Sequence, residues 1–177
     1  MRTIEVEVRS FITLKKYELL LEFFNKNGQL VKDDYQETYY FDAPKDLRIQ
    51  RNKKYSKVWL KEGQIHDDCR EEIEIKFCNE EFEKLENIFE SLGYPVNIKW
   101  FRTRKEFIWD SIKVCLDHTK GYGFIIELEK QCERREQEEI LADLKNKLKS
   151  LGLTPTSKTV FNKKFEYYKN NWQKLTR

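Results

Sequence analysis

No two of the four cysteines, Cys69, Cys78, Cys115 and Cys132, are spaced CxxC, and the two histidines, His66 and His118, stand in no ligand-like array. That speaks against a structural zinc site. The thiols are scattered and no secretory leader precedes them. A reducing, cytoplasmic setting is therefore expected, each cysteine serving as a small buried or half-buried side chain. No apolar run approaches the ~20 residues that cross a bilayer, so no membrane partner is expected. A surplus of one charge is missing too. Lys and Arg number 34 against 31 Asp and Glu, a net +3, which is too balanced for general nucleic-acid binding. Linkers and low-complexity tracts are absent, so residues 1–177 read as a single domain with its own core.

What the chain does hold is charge of both signs, and rings. Asp, Glu, Lys and Arg make up 37% of it and aromatic residues 14%, with apolar residues at clear periods, which excludes disorder. Leu14, Tyr17, Leu21 and Phe24 recur at helical spacing between Thr13, a capping residue, and Gly28, which predicts a helix over 13–27. Strands are predicted over 34–43, 46–51, 56–62 and 69–77. A helix over 79–92 is capped by Asn79 and lined by Phe82, Leu85, Phe89 and Leu92. Strands return over 99–109, 111–118 and 123–130. Helices are expected over 134–151 and along Phe161, Phe165, Tyr168 and Trp172. With the opening strand, about eight strands and four helices in short antiparallel connections make an α+β fold.

The strands repeat one pattern. In "TIEVEVRSFI", Ile4, Val6 and Val8 point one way and Glu5, Glu7 and Arg9 the other. Arg48 with Gln50, Lys57 with Trp59 and Lys61, and Arg70 with Glu72, Glu74 and Lys76 alternate in the same manner. So do Arg102 with Arg104 and Glu106, Asp117 against Val114 and Leu116, and Glu127 with Glu129. A solvated sheet face would account for any one strand. A sheet of about eight strands, however, tends to curl or close. Closed with its apolar face under the helices, it would enclose both signs of charge. Crowded carboxylates would then take up protons unless a cation relieved them, and surplus Arg and Lys would call for an anion. Metal-bound polyphosphate satisfies both.

These residues resemble the CYTH superfamily, the triphosphate tunnel metalloenzymes. "EVEVR" at 5–9 is similar to the ExExK signature. The likeness continues through "YYFD" at 39–42, "LRIQ" at 47–50, "WLKEG" at 59–63 and "REEIE" at 70–74. It ends with "RTRKEF" at 102–107 and "LDHTKGYGFIIELE" at 116–129. The resemblance implies a closed eight-stranded antiparallel β-barrel with flanking helices, binding a triphosphate with Mg2+ or Mn2+. It implies metal ligation by Glu5, Glu7, Asp117, Glu127 and Glu129. Triphosphate contacts would come from Arg9, Arg48, Lys61, Arg70, Glu72, Glu74, Arg102 and Arg104, and catalytic roles fall to Glu5, Glu7, Arg9, Lys61 and Asp117. Arginine suits phosphate because its fork meets two oxygens. Departures are Arg9 for the usual Lys, Gln50 for a second Arg, and Tyr122 for a common Leu. The tail from Ser157 matches poorly, so no lid is expected there.

The activity implied first is that of a class IV adenylyl cyclase, turning ATP into cyclic AMP and pyrophosphate. The alternative is a triphosphatase acting on inorganic tripolyphosphate, thiamine triphosphate or a nucleoside or RNA 5′-triphosphate. A third reading is a non-catalytic triphosphate-binding module, against which the retained ExE pairs argue. Nucleic acid is expected as a partner only through a 5′-triphosphate RNA end, and a homodimer is left open.

Overall fold

The computed structural model describes residues 4–61, 69–70 and 72–177. The chain runs β1 (Ile4–Ile12), α1 (Leu14–Asn27), β2 (Gln29–Phe41), β3 (Asp46–Arg51), β4 (Ser56–Lys61), β5 (Cys69–Arg70), β6 (Glu72–Phe77) and α2 (Phe82–Ser91). It continues with β7 (Val96–Trp109), β8 (Ile112–Thr119), β9 (Gly123–Cys132), α3 (Gln137–Ser150) and α4 (Lys158–Leu175). The fold is α+β, and none of the described helices is long and apolar enough to cross a membrane.

Thr13 caps α1 as its sequence suggests, its hydroxyl accepting from the Lys16 amide at 3.2 Å. Gly28 ends the helix with its N–H on the Phe24 carbonyl at 2.9 Å. A Cβ here would stand 3.1 Å from that carbonyl oxygen and 3.3 Å from the Ile108 oxygen, so glycine lets the chain turn at once against β7. Pairing with β7 therefore starts at Gln29↔Ile108. This is why β2 begins five residues before the strand read from sequence. Asn79 is not a helix cap. Its side chain accepts from Ser56 Oγ at 2.6 Å and donates to the Asn52 carbonyl at 2.8 Å, tying down the β3–β4 hairpin.

The nine strands of the described residues join one antiparallel sheet in the order β5-β1-β9-β8-β7-β2-β3-β4-β6. The expected closed barrel of eight strands is not what forms, because the sheet stays open. The stretch read as one strand over 69–77 is split. Cys69–Arg70 pairs with β1 for two residues, and Glu72–Phe77 pairs with β4 along its length. The two pieces stand at opposite edges, and the brief β5 ladder is too short to make a seam. The sheet is nonetheless strongly curved, helped by irregularities in the β2–β7 ladder at Leu30/Lys32 and Tyr40/Phe41.

Helices cover most of the convex face. Val6, Val8, Val114, Leu116, Ile126 and Leu128 pack under Leu20 and Phe24 of α1 and Leu144 and Leu148 of α3. Each large side chain so buried contributes about 1.5–3 kcal/mol. Phe82 of α2 joins Tyr39, Phe41 and Ile49. Cover stops at the β6 edge, where Ile73 and Ile75 are 63% and 62% exposed. Cys115 and Cys132 are buried, whereas Cys78 is exposed.

Candidate active site

The concave face of the sheet surrounds a cavity of about 540 Å3. Alternation decides what lines it. Residues whose neighbours pack under the helices turn inward, and on nearly every strand these carry charge. Among the described lining residues are eight Lys and Arg and eight Asp and Glu. The wall is thus near neutral as a whole, and what matters is how the charges are paired.

Register sets the pairs. Glu7 lies opposite Glu129 and Arg9 opposite Glu127 on the β1–β9 ladder, and Arg104 lies opposite Asp117 on β7–β8. Arg104 is the hub. Its Nε and Nη2 reach the two oxygens of Asp117 at 2.8 and 2.6 Å, Nη2 also meets Glu127, and Nη1 stands 3.8 Å from Glu129. Arg102 adds an Nη1 contact to Asp117 at 3.2 Å and donates twice to Gln36 Oε1, at 3.1 and 2.7 Å. Arg48 grips Asp46 through Nε at 2.6 Å and Nη2 at 2.5 Å, with Tyr40 OH at 3.2 Å. Lys61 pairs with Glu72 at 2.8 Å, Lys57 with Glu74 at 2.7 Å, and Arg9 with Glu7 at 3.3 Å.

The acids are not equivalent. Burial opposes the charge on Glu127, but Arg104, Arg102 and Arg9 outweigh it and hold the carboxyl down at about 2. Burial also dominates Glu129. Lys113 and Arg104 pull against it, Glu5 and Glu127 add to it, and the carboxyl is pushed up to about 7. Glu7 is raised as well, chiefly by burial, against the pull of Arg9. These two carboxyls face each other, and although Glu7 is paired with Arg9 and Glu129 with Lys113, burial still raises both.

Those raised carboxyls are the test of whether the residues suit the divalent cation the resemblance implies. Glu5, Glu7 and Glu129 offer the oxygen donors that Mg2+ and Mn2+ prefer, and a cation would offset the burial that raises Glu7 and Glu129. The donor set fits. Cys115 also lies close, with its sulfur and carboxylate oxygens of Glu127 and Glu129 all within 4.8 Å of one another. Burial pushes its thiol well up, so it stays protonated and faces Glu129 Oε1 at 3.7 Å.

Glu5, Glu7, Arg9, Arg48, Lys61, Glu72, Glu74, Arg102, Arg104, Asp117, Glu127 and Glu129 all line this one cavity. The Arg70 side chain lies outside the described residues. Gln50 is buried, its amide spent on Gln36 and Thr38. Sequence reasoning passed over Lys113, although it alternates with Asp117 in "IKVCLD". It also passed over Lys32 and Gln36. Lys32 lay outside the strand as read, and Gln36 is uncharged. The C-terminal helix was the larger omission. Phe161 and Phe165 of α4 form part of the cavity wall, packed with Trp100, Tyr122 and Ile125. The helix is anchored there by Tyr168 OH on the Lys99 carbonyl at 3.0 Å and Trp172 Nε1 on the Asn97 carbonyl at 3.1 Å.

The CYTH domain family model matches residues 3–160. A relative from Methanocaldococcus jannaschii, named "Putative adenylate cyclase", is 28% identical over 163 residues, spanning 85% of this chain and 91% of its own. Among solved structures, a conserved hypothetical protein from Pyrococcus furiosus aligns with a TM-score of 0.72 and 25% identity, over 85% of this chain and 91% of the other. A Hippeastrum protein described as a "putative adenylyl cyclase" with a dominant triphosphatase activity aligns with a TM-score of 0.63 and 17% identity, over 89% and 93%.

Proposed function

Because this chain belongs to the CYTH domain family, we propose that it is a metal-dependent enzyme that holds a triphosphate in the charged cavity and hydrolyses it. The observation that carries the reading is the make-up of the wall. Arg9, Arg48, Arg102, Arg104 and Lys61 share one cavity with the carboxyls of Glu5, Glu7 and Glu129, of which burial raises Glu7 and Glu129. Guanidiniums already fixed by Asp46, Asp117 and Gln36 present their remaining N–H groups in set directions. Glu5, Glu7 and Glu129 would hold the cation, which when bound supplies positive charge to phosphate oxygens. Asp117, bound by both Arg102 and Arg104, would act by orienting that pair.

Cyclisation of ATP is the second reading, and the name of the Methanocaldococcus jannaschii relative favours it. It requires an anchor for the base that sets the ribose 3′-hydroxyl against the α-phosphorus. Of the ring-bearing residues that line the cavity, Trp59, Trp100, Tyr122, Phe161 and Phe165 are each more than nine-tenths buried, and the half-buried Tyr40 carries the Arg48 guanidinium 4.2 Å from its ring centre. They offer little open face for stacking. A substrate recognised mainly through its phosphates suits such a wall better, which is why hydrolysis stands first.

Phosphorus NMR of reactions with ATP, tripolyphosphate and thiamine triphosphate, each with Mg2+ or Mn2+, separates the readings. Hydrolysis should give orthophosphate, with pyrophosphate from tripolyphosphate or the nucleoside diphosphate from ATP. Cyclic AMP and intact pyrophosphate from ATP, with tripolyphosphate untouched, would replace hydrolysis by cyclisation.

A further inference from the structure

Three polar atoms in residues lining the main cavity find no hydrogen-bond partner among the described residues: Trp59 Nε1, Thr119 Oγ1 and Tyr122 OH. Two of the three belong to one turn. Thr119 ends β8, Tyr122 stands just before β9, and the Tyr122 amide donates to the Thr119 carbonyl at 3.0 Å. Their exposures are 1% and 7%. The Tyr122 ring is held on several sides, with centroids 4.5 Å from Trp100, 5.2 Å from Phe11 and 5.6 Å from Tyr168. Its hydroxyl has no freedom to seek a partner elsewhere. A buried hydroxyl left unbonded is destabilising, and an unadorned phenyl ring would fill the same space without that penalty. The position therefore calls for an acceptor.

The neighbours say which kind. Burial, Tyr40 and Glu127 push the Tyr122 phenol up and Arg9 is the positive charge that pulls it down, while Arg102 is the register partner of Thr119. The turn thus borders two guanidiniums of the phosphate cradle proposed above. On another strand, Trp59 has Lys57 Nζ 4.3 Å from its ring centre and Arg48 at 5.8 Å. Its indole N–H can only donate.

Resting on the triphosphate reading, we propose that the Thr119–Tyr122 turn is a phosphate subsite. The two hydroxyls donate to oxygens of one phosphate group, which Arg9 and Arg102 hold by charge. Neither hydroxyl oxygen touches solvent in the present arrangement. The anion reaches them as Arg9 leaves Glu7 to close on it, while Arg102, held by Asp117 and Gln36, presents its remaining N–H groups. The subsite recognises a tetrahedral oxyanion by neutral donors as well as by charge, and it is occupied whatever organic group the substrate carries.

Titration calorimetry with imidotriphosphate, whose nitrogen bridges resist cleavage, and Mg2+ tests this on wild type, Tyr122→Phe and Thr119→Val. A hydrogen bond to a charged acceptor is worth enough that each variant should bind about tenfold more weakly or worse. In the absence of ligand each variant should melt no lower than wild type, because the deleted hydroxyl had no partner. Wild-type affinity in both variants would overturn the subsite while leaving the triphosphate reading intact. A clear drop in ligand-free melting temperature would show a structural hydroxyl and overturn it too. No binding by wild type would instead remove the triphosphate reading itself, and this inference with it.

Discussion

At the residue scale, Glu129 and Arg104 carry the sharpest expectations. The Glu129 carboxyl is raised from 4.5 to about 7, so the folded protein binds its proton more tightly than the unfolded chain does. Its stabilising contribution is complete below about pH 4.5 and is lost as pH rises through about 7. Glu127 works with the opposite sign, but its depressed value near 2 keeps that change below pH 4.5 and out of the same window. The melting temperature of metal-free wild type should therefore fall relative to Glu129→Gln between pH 5 and pH 8. Added Mg2+ or Mn2+ should raise the wild-type value more at pH 8 than at pH 5, since proton and cation compete for one carboxylate. A pH-independent difference between the two proteins, measured by scanning calorimetry, would refute the assignment. Arg104 is 9% exposed and serves both Asp117 and Glu127. Arg104→Ala takes the hydrogen-bonded cation from Glu127 and leaves Asp117 only its single Arg102 contact, and should lower unfolding free energy by about 3 kcal/mol in a denaturant titration. Arg102→Ala leaves Asp117 its bidentate partner and should lose no more than about 1 kcal/mol, so its effect should appear mainly as weaker triphosphate binding.

Among the elements, the exits of α2 and α3 and the seat of α4 are instructive. "ESLGYP" and "KSLGLTP" look alike because they solve one problem. Gly93 at φ 87° and Gly152 at φ 71° take the left-handed conformation. The Tyr94 amide then reaches the Phe89 carbonyl and the Leu153 amide the Leu148 carbonyl. That helix-stop chemistry is enough to explain the likeness. Gly121 shares the left-handed backbone, φ 74°, but its surroundings differ. A Cβ there would lie 2.5 Å from Leu175 Cβ, whereas at Gly93 nothing stands within 4 Å. Gly93→Ala should therefore lose only the conformational preference, about 1 kcal/mol. Gly121→Ala should lose clearly more, because it also pushes the end of α4 off the turn. Comparable melting temperatures for the two variants would mean that α4 does not press on this glycine.

Over the whole molecule, the cavity is built from strands that lie far apart in the chain and together in the sheet. Ligand should therefore stabilise the fold as a unit. Tripolyphosphate with Mg2+ at 100 times its dissociation constant should add about 2.7 kcal/mol, seen as one cooperative melting transition moved upward. A shift confined to one of two separable transitions would contradict a site shared across the sheet. Much of this arrangement was legible from the sequence alone. Period-two alternation in "IEVEVR", "KVWLK" and "IIELE" already put both charges on one face, because side-chain direction along a strand is a local property. The helices, the CYTH resemblance and the membership of the charged set followed from the same local patterns. Only the tertiary structure decided the partners. Glu7 faces Glu129, Asp117 is enclosed by Arg102 and Arg104, and the 69–77 stretch divides between the two edges of an open sheet. Phe161 and Phe165 of α4 complete the wall. Each of these depends on register and packing between residues distant in sequence. Side-chain alternation says which way a group points, but it does not say what stands opposite.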